Sequence, residues 1–158
     1  MRLWQLICIG IGRQEAALAP RALIADSDLE LRQRLYSRLL DADIFADCVA
    51  TAGEALHKLE ETGYSVVIAD VGLPNNGIER VVEWIARMDR AKRPIVLVVA
   101  ANAEAARSLD VEIVQIVLRR PVDIAQIVDL VGSCLRISTA PRRQRQAGDG
   151  GPQPEARS

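Results

Sequence analysis

Short apolar runs alternate with amphipathic segments along most of this chain. The predicted strands lie in five apolar runs: RALIA, IFADCVA, SVVIAD, PIVLVVA and VEIVQIVLRR. A helical pattern follows each of them, at residues 28–40, 51–62, 78–90, 102–109 and 122–137. In the first helix Leu31, Leu35 and Leu39 are four residues apart, which places them on one buried stripe.

Five strands that alternate with five helices predict parallel βαβ units. The strands are apolar almost throughout, which indicates a sheet covered on both faces. We therefore expect one doubly wound α/β domain over residues 21–137. Residues 1–20 form a predicted N-terminal extension, and residues 138–158, rich in Pro, Gly, Gln and Arg, a predicted disordered tail.

The composition and net charge argue for a protein with an apolar core and against general binding to nucleic acid or membranes. Hydrophobic residues make up 49% of the 158, enough for a core, and the net charge of −1 gives no general attraction to nucleic acid or membranes. Three cysteines without a CxxC pair indicate reduced thiols in a cytoplasmic protein. The apolar run near the N-terminus is too short to span a bilayer. A cleaved signal peptide is the alternative there, and Pro20 after the small residues disfavours it.

Polar and charged residues follow three of the predicted strands. Asp26, Ser27 and Asp28 come after the first, Asp70 ends the third, and Arg120 comes after the fifth. The carboxyl ends of parallel strands meet at one edge, so we expect Asp26 and Asp70 to converge there near an arginine. Such a set suits a hard cation or a phosphoryl group. The plainer alternative is that Asp70 only ends its strand and faces water.

Four segments resemble the receiver domain of bacterial response regulators. They are LIADSD, ATAGEAL, VVIADVGLPNNG and LRRPVDIAQIV, in that order and without large gaps. The resemblance implies a flavodoxin-like fold with strand order 2-1-3-4-5 and five helices. It also implies that Asp70, with Pro74 four residues later and Gly77 opening helix three, accepts a phosphoryl group. Arg120 would assist the transfer, and Asp26, Asp70 and the Gly72 carbonyl would hold Mg²⁺.

The sequence departs from the family pattern at the residues that carry its chemistry. Ser27 stands where a second acid usually holds Mg²⁺, and Val99 where a Thr or Ser usually bonds the phosphoryl oxygen. Arg120 replaces a lysine and Val117 an aromatic residue. Loss of an acid weakens metal binding, and Val99 cannot donate a hydrogen bond. An ion pair of Arg120 with Asp70 or Asp26, in place of Mg²⁺, is a further alternative.

We expect a single-domain, atypical receiver in phosphorelay signalling, a cytoplasmic protein that is not an enzyme. Its expected partners are a histidine kinase or phosphotransfer protein and a downstream protein, with a homodimer as an option. The alternative is a pseudo-receiver that binds proteins without phosphorylation. The expected contact surface is the face of strand five and helix five, where Val122 and Leu130 lie off the core stripe. No nucleic-acid or membrane partner is expected.

Overall fold

The computed structural model describes residues 20–139, and the side chains of residues 137–139 are not described. Apart from Pro20 and the end of the last helix, the predicted extension and tail lie outside the described residues. The strands are β1 (Arg21–Ala25), β2 (Phe45–Val49), β3 (Val66–Asp70), β4 (Ile95–Ala100) and β5 (Val114–Arg119). The α-helices are α1 (Leu29–Asp41), α2 (Ala52–Glu61), α3 (Gly77–Arg87) and α4 (Ile124–Thr139).

The five strands form one parallel sheet in the order β2-β1-β3-β4-β5. This confirms the predicted fold class. Side chains alternate across each strand, so the sheet contributes to two aliphatic cores. One core lies against α2 and α3 and includes Val81 and Ile85; the other lies against α1 and α4 and includes Leu35 and Val131.

The predicted helix at residues 102–109 is wrong. This segment contains only a 3₁₀ helix at Ala103–Ala106, capped by the Asn102 side chain. A second 3₁₀ helix lies at Arg90–Lys92. Of the side chains in residues 102–109 only Leu109 is buried. An isolated short helix is marginal without an apolar face to bury, so the crossover from β4 to β5 is short and thinly packed.

Two predicted helix starts are confirmed by their hydrogen bonds. The Asp28 carboxylate accepts from the Glu30 and Leu31 N–H groups, which caps α1. Thr51 and Glu54 form a reciprocal capping box at the start of α2. Such bonds satisfy backbone donors that the first helical turn leaves unpaired. The Asp28 cap keeps that carboxylate at the helix end.

Close packing explains why a glycine, Gly77, begins α3. A Cβ at Gly77 would lie 2.9 Å from the Cβ atoms of Ala52 and Leu73, closer than side-chain carbons approach. The preceding residues Asn75 and Asn76 have positive φ angles of 59° and 51°, which Asn tolerates better than most residues. The loop after β3 can therefore fold back tightly and bring α3 against α2.

Candidate functional site

Asp26 and Asp70 meet at the carboxyl edge of the sheet, as the strand order requires. Ala25 of β1 pairs with Ala69 of β3, and the two aspartates are the next residues of the adjacent strands. Asp26 is only 3% exposed, and the Asp70 side chain is 12% exposed. The convergence predicted from the sequence is therefore present, in a position largely shielded from solvent.

Arg120 lies between the two carboxylates. Its Nη2 atom donates a hydrogen bond to Asp26 Oδ2 at 3.2 Å and lies 3.3 Å from Asp70 Oδ2. Arg120 directly follows β5, and its backbone N–H donates to the Ala100 carbonyl at 2.9 Å, which continues the pairing with β4. One guanidinium thus makes ion pairs with both acids, whereas the alternative drawn from the sequence was a pair with one or the other.

Asp26 is held from both sides. Its Oδ1 accepts the Asp28 N–H at 2.8 Å, and its backbone carbonyl accepts from Arg32 Nη1. Burial raises the pKa of Asp26 above its usual range, and the negative charge of Asp70 raises this pKa further. The hydrogen bond from the Asp28 N–H and the positive charge of Arg120 act in the opposite direction. Sequence reasoning missed Arg32, since nothing in the spacing distinguishes it from the other arginines of α1.

The other predicted site residues surround the acids without completing a metal site. Ser27 is exposed, and the Asp28 carboxylate is used as the α1 cap. A Cβ at Gly72 would lie 3.0 Å from Asp70 Oδ2, so the loop backbone passes close to this carboxylate. The predicted set of Asp26, Asp70 and Gly72 is therefore gathered in one place.

This donor set does not fit Mg²⁺ in the observed arrangement. Mg²⁺ requires near-octahedral oxygen ligands at short distances, whereas Asp26 Oδ2 and Asp70 Oδ2 both contact the Arg120 guanidinium. Across residues 20–139, no group of three or more His, Cys, Asp or Glu residues could hold a metal ion. The cation already placed between the acids is the arginine.

The two positions expected to respond to a phosphoryl group are valines in contrasting environments. Val99 of β4 pairs with Asp70 and is 1% exposed. Val117 of β5 is 42% exposed. Val99 offers no hydroxyl beside Asp70, and Val117 offers no ring that could move between a buried and an exposed position.

Comparisons with known proteins support the fold. No protein-family model and no curated protein sequence matches this chain. Solved structures do, and among them is a CheY-like response regulator receiver domain from Methylobacillus flagellatus, at 24% identity and a TM-score of 0.59. It covers 73% of this chain and 98% of its own length. The chain has the fold of a response regulator receiver domain.

Two further solved structures are also similar to this chain. The receiver domain of the Francisella response regulator 1452 is 19% identical, with a TM-score of 0.64, covering 75% of this chain and 98% of its own. The response regulator TrrA from Thermotoga maritima, solved in complex with Mg²⁺ and BeF, is 20% identical, with a TM-score of 0.63. It covers 73% of this chain and 98% of its own.

Within residues 20–139, no helix is both long enough and apolar enough to cross a membrane.

Proposed function

We propose that this protein is a receiver-type signalling module that acts through protein contact and does not use phosphorylation of Asp70 as its switch. The observation that carries this proposal is the position of Arg120, whose Nη2 lies 3.2 Å from Asp26 Oδ2 and 3.3 Å from Asp70 Oδ2. The receiver fold supplies the signalling context. In this proposal the protein is a binding module of the cytoplasm and not an enzyme.

The Arg120 contact makes Asp70 a poorer phosphoryl acceptor. A carboxylate that attacks phosphorus must present a free oxygen, and an oxygen held in an ion pair attacks less readily. In this site Oδ2 of Asp70 is paired with Arg120, and the side chain is 12% exposed. A guanidinium is planar and permanently charged, so it can contact two carboxylates at once. Its single charge offsets one of the two carboxylate charges, and it occupies Oδ2 of both acids.

The residues around Asp70 also lack groups that would respond to its phosphorylation. A phosphoryl group can shift a conformational equilibrium only by interacting differently with its two states. Val99 cannot bond a phosphoryl oxygen, and a hydrogen bond to a charged group is worth roughly 1.5–3 kcal/mol. Val117 is already exposed at 42%. We therefore expect a binding partner to recognise a single conformation of this protein, which does not change with the state of Asp70.

A phosphorylatable receiver is the second candidate, and the loop at Gly72 favours it. A Cβ at this residue would lie only 3.0 Å from Asp70 Oδ2, so its absence lets the loop pass close to the carboxylate. A closely approaching backbone could supply a carbonyl to a cation or an N–H group to a phosphoryl oxygen. In this case a histidine kinase or phosphotransfer protein would be the donor, and Arg120 would have to turn away from Asp70.

Incubation with phosphoramidate and Mg²⁺, followed by intact mass measurement, separates the two candidates. We expect wild-type protein to gain no phosphoryl mass. A Ser27→Asp, Val99→Thr and Arg120→Lys triple variant restores an acid, a hydroxyl and a less extended cation, and we expect it to gain one. Asp70→Asn in the triple background is the control and should abolish the gain. A gain in wild type that Asp70→Asn removes would establish the second candidate.

A further inference from the structure

Helix α1 exposes a row of apolar side chains to solvent. Leu29, Tyr36 and Leu40 are 58%, 42% and 48% exposed. Tyr36 and Leu40 follow Leu29 by close to two and three whole helical turns, so the three lie along one side of the helix. The uncharged and exposed Gln33 lies between them on that side. We call Leu29, Tyr36 and Leu40 the α1 stripe.

The α1 stripe is separate from the side of the helix that faces the core. The buried side of α1 carries the leucines Leu31, Leu35 and Leu39. The outward side of a helix is usually polar, and the exposed positions of α3 are all charged: Arg80, Glu83 and Arg87. Exposed apolar side chains that are grouped together mark a contact surface, whereas single ones do not. The α1 stripe is such a group.

A further exposed apolar residue lies at one end of the α1 stripe. Outside the stripe, the large apolar side chains that are exposed within residues 20–139 are Phe45, Val111 and Val117. Phe45 begins β2, an edge strand that packs beside α1. A tight turn joins α1 to β2, in which the Ile44 N–H donates to the Leu39 carbonyl at 2.9 Å. Leu40 and Phe45 therefore lie at the same end of the sheet.

The chain enters the described fold beside this surface. Arg21, the first residue of β1, pairs with Phe45 of β2, so residues 1–19 join the domain one strand from its edge. The 13 residues of α1 make a helix about 20 Å long. Residues 12–20 span about 30 Å when extended. This length is enough to place residues 3–11 along the whole α1 stripe.

Residues 3–11 have the composition that suits an apolar surface. Their sequence is LWQLICIGI, which is uncharged and is apolar except at Gln5 and Gly10. Trp4 offers a large ring of the kind that anchors contacts between proteins. A short flexible linker gives an attached segment an effective concentration on the order of millimolar at a nearby site. We therefore expect this segment to bind the stripe in preference to a second copy of the chain.

We propose that residues 3–11 fold back onto α1 of their own chain and cover Leu29, Tyr36 and Leu40. The contact removes apolar surface of both the segment and the helix from water, which stabilises it. It does not involve Asp70. The segment occupies a helix surface that would otherwise be open to other proteins, so a partner that binds this side of α1 must displace it.

The fluorescence of Trp4 tests this docking in the full chain. The chain has two tryptophans, and Trp84→Phe leaves Trp4 as the only one. In this background we expect the Trp4 emission to be shifted to the blue relative to the unfolded protein and weakly quenched by acrylamide, at every protein concentration. Tyr36→Glu and Leu40→Glu, each added to this background, should shift the emission to the red and increase quenching, because docking would bury the new carboxylate.

A charge placed away from α1 is the matched control. Val111→Glu replaces an apolar side chain that is 86% exposed and should leave the Trp4 emission unchanged, with the fold of each variant checked by circular dichroism. Leu40→Gln, a milder change, should also shift the emission to the red. Trp4 that is as exposed as in the unfolded protein overturns the proposal. So does emission that neither Tyr36→Glu nor Leu40→Glu changes, or that Val111→Glu changes equally. Protection of Trp4 that is lost on dilution would assign the stripe to a second copy and overturn the proposal as well.

Discussion

At the residue scale, one arginine decides what the acidic pocket can do. Asp26 and Asp70 are nearly buried, and two adjacent buried carboxylates repel each other unless a cation lies near them. Arg120 supplies that charge from the end of β5, 94 residues away in the chain from Asp26. Its single charge offsets one of the two carboxylate charges, and its contact with both acids holds the ends of the two strands together.

Removal of the arginine should destabilise the fold. Arg120→Ala leaves both acids without their counter-charge; because the arginine side chain is 34% exposed, the expected loss is about 1–3 kcal/mol, below that of a fully buried pair. Urea denaturation at neutral pH measures it. Arg107→Ala is the matched control, since its pair with Glu104 is exposed, and its unfolding free energy should hardly change. Equal effects of both variants would contradict the role given to Arg120.

The raised pKa of Asp26 gives a pH dependence with a definite sign. The folded protein binds this proton more tightly than the unfolded chain, where the pKa is near 3.8. Through this group the unfolding free energy therefore rises as the pH falls through the raised pKa toward that value, and falls as the pH rises.

Comparison with Asp26→Asn isolates this effect from the other carboxylates. Between neutral pH and about pH 4, wild type should gain stability relative to Asp26→Asn, measured by urea denaturation of both proteins at each pH. A difference that stays constant, or moves in favour of the variant on acidification, would show that burial does not raise this pKa.

At the element scale, local signals were read correctly where they involve neighbouring residues. The sequence predicts helical segments that start at residues 28 and 51, and the caps Asp28 and Thr51 lie there, because a cap acts within three residues of itself. The missing helix at residues 102–109 shows the limit of this reasoning: alanines favour helix, but the segment has too little apolar surface to dock one. The contact of Arg120 with both acids could not be fixed from sequence, because it depends on where β5 ends relative to β1 and β3.

The capping box at α2 provides a test at this scale. Thr51→Ala removes the hydroxyl that accepts the Glu54 N–H at 3.2 Å, and should lower the unfolding free energy by about 1 kcal/mol. Thr51→Ser keeps the acceptor and serves as the control, with little change expected. The thermal or urea midpoint of each variant measures this. If Thr51→Ser and Thr51→Ala lower the unfolding free energy equally, loss of the threonine methyl group, and not loss of the cap, would be responsible.

At the scale of the whole molecule, the chain has the receiver fold, but its acidic pocket holds a salt bridge in place of a bound ligand. The parallel sheet brings the ends of β1, β3 and β5 to one crevice, the place where open α/β sheets bind ligands. In this chain the crevice holds a salt-bridged triad, and the short β4–β5 crossover exposes an edge strand. These two features support the proposal that the protein acts by association with other chains and less by chemistry at its acidic pocket.

The central claim is that Arg120 takes the place of a divalent cation between Asp26 and Asp70. The most direct test is the thermal midpoint of the wild-type protein as a function of Mg²⁺ concentration, because a ligand that binds only the folded state raises that midpoint. We expect no saturable change in wild type, and a saturable rise in the Ser27→Asp, Arg120→Lys double variant. A saturable rise in wild type that is lost in both Asp26→Asn and Asp70→Asn would contradict the claim.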